Sequence, residues 1–200
     1  MTVLSSSLYQ TLEKSMNYLL LNGLWLLSCL PIVTFFTGTI AMFGVIRDWH
    51  MKKDEGVIMP FLKHFKKNIK PSMILTSIWL PLTYIMLVNL HLLNPTASII
   101  SLLMAFIIGG LFVIFLYTSM YLFPVFVHFE LPVLKLVQNA FFIATSQWKY
   151  TSIGLAFLLA VGMLLYHFPI LMLFFTSVFS YFIYVICYKS FQQLGAPYSS

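Results

Sequence analysis

The sequence predicts an all-α, polytopic membrane protein: five transmembrane helices, the first kinked at Pro31, and two amphipathic interfacial helices on the cytoplasmic side. Three observations carry that prediction. Of the 200 residues, 60% are hydrophobic and only 8% charged, whereas a soluble domain has about a quarter charged residues. Uncharged tracts run over residues 18–46, 71–129 and 150–188. The stretch from Arg47 to Lys70 then holds seven of the eleven Lys/Arg residues and three of the five acids.

Charge distribution narrows the partners. The net charge of +6 would suit a nucleic acid, but the cations stand at the ends of apolar tracts, where they meet anionic lipid headgroups. No nucleic-acid partner is expected. Residues 1–17 are polar and include Glu13 and Lys14, and the apolar run after them is too long for a signal-peptide core. Cys29 and Cys187 both fall in apolar tracts, with no CxxC or His/Cys metal spacing. Neither a cofactor nor a metal is expected. The length suits one transmembrane domain over residues 1–200.

The elements follow in order. Residues 1–17 suit a short amphipathic helix. Residues 18–46 make a first span of roughly 40 Å against a hydrocarbon core of about 30 Å. The excess must tilt, bend or break, and Pro31 sits in its middle with Gly38 after it. One kinked crossing is the primary reading. A re-entrant hairpin at Pro31 is the alternative, and it would put the N-terminus in the cytoplasm. In the basic loop, residues 47–71, Ile58, Phe61, Leu62, Phe65 and Ile69 recur at helical spacing. Lys63, Lys66, Lys67 and Lys70 occupy the opposite face, ready for anionic headgroups. Pro71 opens the second span, 72–93, and an uncharged turn leads to the third, 98–128. Segment 129–149 reads as the second interfacial helix, with Val133/Leu134, Val137, Ala140/Phe141, Ala144 and Trp148 on its apolar side. Spans 151–166 and 170–188 form a hairpin about Pro169. Ten Lys/Arg then lie on one side and only Lys14 on the other. Because cationic loops stay inside, the expectation is a multi-pass cell-membrane protein with its N-terminus outside and its C-terminus cytoplasmic. Pro60-Phe61-Leu62-Lys63 and Pro132-Val133-Leu134-Lys135 form a weak internal repeat, each opening an interfacial helix.

Few residues invite chemistry. Glu130, two residues after His128, could form a proton relay or a metal corner with it, but reads first as an interfacial carboxylate for Lys135 or Lys149, since no second carboxylate stands in any span. Tyr117 and Tyr121 stack at i, i+4, and Asn22 and Trp25 on the first span could face them in an aromatic, polar pocket. The competing readings are an interfacial belt for the aromatics and interhelical hydrogen bonds for Asn22. No nucleophile–base set is present, so no catalytic residue is assigned and the chain is not expected to be an enzyme.

Three stretches carry a resemblance. The first is Asn22-x-x-Trp25-Leu26-Leu27, Leu30-Pro31-Ile32-Val33-Thr34 and Ala41-Met42-Phe43. The second is Phe61-x-x-x-Phe65-Lys66-Lys67-Asn68. The third is Tyr121-x-Phe123-Pro124, Phe129-Glu130-Leu131-Pro132 and Asn139-Ala140-Phe141. Together they resemble the YesL-type family of small integral membrane proteins, mostly of Gram-positive bacteria. One departure is that the glycine after Thr34 comes at Gly38 rather than near Phe36. The resemblance implies no established activity. It implies an accessory or regulatory role beside carbohydrate uptake, because some relatives are encoded next to sugar transporters and polysaccharide-degrading enzymes. The alternative is a small-molecule-binding subunit of a transporter. On either reading, Asn22, Trp25, Pro31, Thr34, Tyr117, Tyr121, Glu130 and Asn139 are the candidate ligand or partner contacts. A sugar transporter or a second copy of the chain is the candidate protein partner.

Overall fold

The computed structural model describes residues 2–53, 56–92, 98–129 and 131–195. These residues form seven α-helices and no strand: α1 (Thr2–Cys29), α2 (Phe35–His50), α3 (Ile58–Leu92), α4 (Ile99–His128), α5 (Val133–Ser146), α6 (Trp148–His167) and α7 (Met172–Gln193). Short 3-10 turns cover Ile32–Thr34 and Pro169–Leu171. Five segments are long and apolar enough to cross a membrane: Ile32–His50, Ile58–Leu92, Ile99–His128, Trp148–His167 and Pro169–Gln193.

The first uncharged tract corrects the expectation of one kinked crossing. It folds back on itself as an antiparallel hairpin, α1 against α2. Tyr18 meets Trp49 edge-on at 5.1 Å, and Trp25 Nε1 donates to Thr39 Oγ1 at 3.2 Å. Pro31 adopts an extended backbone, φ −79° and ψ 117°, and its missing N–H lets the helix stop there. The turn satisfies its own backbone. Thr34 N donates to the Pro31 carbonyl, and Thr34 Oγ1 reaches the carbonyls of Ser28 at 2.6 Å and Pro31 at 2.9 Å. Its surface is apolar, with Leu30 and Ile32 each 78% exposed. An internally satisfied turn with an oily skin is what non-helical backbone needs near lipid. Thr34→Val removes both hydroxyl bonds and is expected to cost about 1 kcal/mol, read as a lower thermal-unfolding midpoint in detergent. Ser77, whose hydroxyl returns to its own helix on an exposed face, is the control: Ser77→Ala should match the parent protein. Equal midpoints for both variants would mean that the Thr34 hydroxyl does not hold the turn.

The second arm of the hairpin is the centre of the molecule. Helix α2 is buried continuously from Phe36 to Ile46 and touches α1, α3, α4 and α7. An all-round apolar helix belongs in such a place. Two glycines let its neighbours approach: a Cβ on Gly38 would collide with Ser28 Oγ, and one on Gly44 would lie 2.5 Å from the His64 ring.

Helix α3 runs antiparallel to α2, held by the Thr37–Ser72 hydroxyl pair at 2.5 Å and by Asp48 with His64. It continues through Pro71 without a break, so the basic segment is not a separate interfacial helix. The physical reason is tertiary. Phe61 is 3% exposed and belongs to the buried core, and α3 is tied to α2 on both sides of Pro71, at His64 and at Ser72. The lysines Lys63, Lys66, Lys67 and Lys70 remain exposed, as do Ile58 and Leu62.

Helix α4 begins with a Ser98/Ser101 capping box and returns beside α3. Trp79 stacks on Phe115 at 5.0 Å and bonds Ser119 Oγ at 3.0 Å. Only its last third, Thr118 to His128, is buried. Helix α5 packs Leu136, Ala140, Ile143 and Ala144 inward. Leu134, Phe141 and Trp148, expected on the same apolar side, face outward with Phe142. Helices α6 and α7 form the expected hairpin about Pro169.

Helix α1 is continuous from Thr2, and it also runs antiparallel to α7: Ser177 Oγ donates to the Tyr18 carbonyl at 2.9 Å. One cavity wall contains Lys14, Lys52 and Lys53 together. The expectation that Lys14 lies across the bilayer from the basic loop fails on this geometry. Lys14, Lys52 and Lys53 share that cavity, and Arg47 and Lys67 line another formed by the same end of α2, away from the α1/α2 turn at Pro31.

Candidate functional site

The basic end gathers the polar chemistry into two neighbouring cavities. The first is built by the last turn of α2 against α3. Asp48 stands 8% exposed, and its Oδ2 lies 2.7 Å from His64 Nε2. His64 can come this close because position 44 is glycine. Asn68 Nδ2 donates to the His64 carbonyl at 2.8 Å. Beside this pair opens a cavity of about 220 Å³ whose polar wall is Arg47, His64, Lys67 and Asn68; Pro71, Phe126 and Leu136 form part of its apolar wall. Nearby, His128 is 2% exposed, with the rings of Phe129 and Phe191 each 4.8 Å away.

The second cavity, about 410 Å³, lies between α1, α7 and the loop after α2. Helix α2 ends there in a Schellman motif: Lys53 N donates to the Asp48 carbonyl at 2.9 Å and Lys52 N to the Trp49 carbonyl at 3.0 Å. The residue that must turn left-handed in such a motif is usually glycine. Here it is Lys52, at φ 57°. Both cavities are lined by cations, an arrangement that favours an anion between them. Among the described residues, no three His, Cys, Asp or Glu side chains come together as metal ligands would.

The residues singled out by sequence do not meet in one pocket. Asn22 is fully buried and donates to the Met172 carbonyl at 3.2 Å and to that of Leu173, tying α1 to α7. Trp25 is spent on Thr39 and lies beside Phe35. Pro31 and Thr34 make the hairpin turn. Tyr117 shares a 2.8 Å bond with Ser152. Tyr121 shares one of 2.7 Å with Ser190 and accepts from Thr151 at 3.4 Å. These two tyrosines lock α4 to α6 and α7 instead of facing Asn22 and Trp25. Asn139 is half-buried on α5. Glu130 lies outside the described residues.

Sequence reasoning passed over Arg47, Asp48, His64 and the Lys14/Lys52/Lys53 group. A signal existed: Asp48 is an acid beside Arg47 at the end of a long apolar tract, where an unpaired carboxylate is costly.

A family model described as "Protein of unknown function, DUF624" matches residues 18–90, which takes in the apolar part of α1, all of α2 and nearly all of α3. YesV of Bacillus subtilis strain 168 is 30% identical over 145 residues, covering 70% of this chain and 69% of the relative. The chain belongs to the DUF624 family. YesL of the same strain is 29% identical over 181 residues, covering 87% of this chain and 84% of the relative. YteU is 29% identical over 197 residues, covering 92% and 87%. All three are described as uncharacterised proteins. No solved structure matches this DUF624 chain. The family segment contains the whole α1/α2 turn and the Asp48–His64 pair, so both belong to the part of the chain that the family model covers.

Proposed function

We propose that this chain is a non-enzymatic component of the cell membrane that assists carbohydrate uptake, with both termini and the loop after α2 in the cytoplasm and α5 at the inner interface. One observation carries the choice of an accessory over a conduit. Several polar side chains in the spans bond between helices (Trp79 with Ser119, Tyr117 with Ser152, Asn22 with α7) and others return to a carbonyl of their own helix (Thr76, Thr83, Thr118), while both cation-lined cavities sit at the basic end. A transport subunit would instead turn such groups toward a closed polar cavity at mid-membrane. The orientation rests on the gathering of Lys14, Arg47, Lys52, Lys53 and Lys67 at the end of the bundle where α2 terminates. The carbohydrate setting rests on the family resemblance.

The test is uptake of labelled oligosaccharide by cells with and without the chain, beside liposomes that contain the purified chain alone. The expected result is slower uptake without the chain and none into the liposomes. Sugar entering those liposomes would favour a transport subunit, and unchanged uptake in cells lacking the chain would remove the carbohydrate role.

A further inference from the structure

We propose that the cavity between α1, the end of α2 and α7 is a headgroup site for an anionic phospholipid, with Lys14, Lys52 and Lys53 holding the phosphate. This goes beyond the accessory role and stands without it. Lys14 and the adjacent pair Lys52 and Lys53, from two segments far apart in sequence, line one cavity of about 410 Å³. Like charges brought together repel, so the arrangement favours an anion between them. Phosphate meets lysine as a point charge, without needing the planar fork of arginine.

Two further features point to a ligand. Lys52 holds a left-handed backbone, φ 57°, at a Schellman position that glycine would fill without strain. Holding a non-glycine residue there costs free energy, which gives a reason to look for a use of its side chain. The walls are aromatic as well as cationic. Tyr18 meets Trp49 edge-on at 5.1 Å and Tyr181 at 6.1 Å, and amphipathic rings of this kind sit at headgroup level in membranes. Asn17 adds an amide to the wall, suited to glycerol hydroxyls or phosphate oxygens.

A soluble phosphate ester would satisfy the same cations. The surroundings favour a lipid. Gly56 and Tyr181 line the cavity, and close to them in sequence stand exposed apolar residues, Met59 at 76% and Phe182 at 52%. A cationic, aromatic pocket on a protein whose neighbouring segments expose apolar side chains matches an amphiphile, with its headgroup inside and its acyl chains on the apolar surface.

The test is native mass spectrometry of the full chain in detergent, titrated with phosphatidylglycerol or phosphatidylcholine. Phosphatidylglycerol is expected to stay bound while phosphatidylcholine dissociates. The triple variant K14Q/K52Q/K53Q should weaken phosphatidylglycerol binding on the order of 100-fold, given the energy that each interfacial lysine contributes. K14R/K52R/K53R should retain binding. K63Q/K66Q/K70Q, which removes equal charge from the exposed side of α3, should leave affinity nearly unchanged. Equal retention of the two lipids would overturn recognition of the anionic headgroup, and equal losses in the two glutamine triples would overturn the site in favour of diffuse surface charge. Glycerol phosphate binding as tightly as the lipid would overturn it in favour of a soluble phosphate.

Discussion

With Cys29→Ala and Cys187→Ala as background, K14C and K53C should behave alike: both protected from an impermeant thiol reagent in intact cells, both labelled once the membrane is opened. H167C, on the exposed end of α6, should label from outside. The effect is all or none, because one cavity wall holds Lys14 and Lys53 together and no bilayer fits between them. The cause lies in the α1/α2 hairpin. Two arms joined by a turn at Pro31 must begin and end on the same side, whereas a single kinked helix begins and ends on opposite sides. Electrostatics agrees, since every lysine kept on the cytoplasmic side is one that need not be moved across the membrane. Labelling of K14C from outside while K53C stays protected would break the hairpin and restore a single crossing.

The second large effect is at Gly44. Its missing Cβ leaves the space that His64 fills: Cγ, Cδ2 and Nδ1 of the ring would lie 2.5, 2.7 and 2.8 Å from an added methyl. These atoms sit at the base of the ring, so rotation of a flexible tip offers no escape. Either α3 moves away from α2, or the ring swings out and leaves the 2.7 Å contact with Asp48. Overpacking of this kind costs about 1–3 kcal/mol, and loss of the partner of a buried carboxylate adds to it. Gly44→Ala is therefore expected to lower the unfolding midpoint of the solubilised protein by about 10 °C. Gly38→Ala should be milder, because its nearest obstacle is the Ser28 hydroxyl, which can rotate. Gly110→Ala meets nothing within 4 Å and should be neutral or gain up to about 1 kcal/mol of helix propensity. If Gly44→Ala unfolds within about 2 °C of the parent, the close approach of α2 and α3 is incidental.

Local composition accounts for the part of the fold that was legible in the sequence. The α3–α4 and α6–α7 hairpins could be read because each pairs apolar runs of membrane length around a short uncharged turn, and hydrocarbon excludes most alternatives. Clustered lysines marked the basic end for the same reason. The amphipathic pattern of residues 58–70 correctly gave a helix. Its partner could not be read: a stripe with Phe61 on it suits acyl chains or another helix equally well, and α2 took it.

Legibility ended at Pro31. A proline in a tract of roughly 40 Å is compatible with a bend or with a full reversal. The choice lies in contacts between residues far apart in the chain: Asn22 with the start of α7, Trp25 with Thr39, Ser28 against Gly38. Such contacts have no signature in composition or period. The candidate sites divide in the same way. Sequence alone determined that this is a helical membrane protein with its cations gathered around the 47–70 stretch, because solvation by lipid and water acts on each residue where it stands. Only tertiary structure decided that Lys14 joins Lys52 and Lys53, and that Asp48 meets His64, because those pairings depend on how α1, α2 and α3 fold back beside one another.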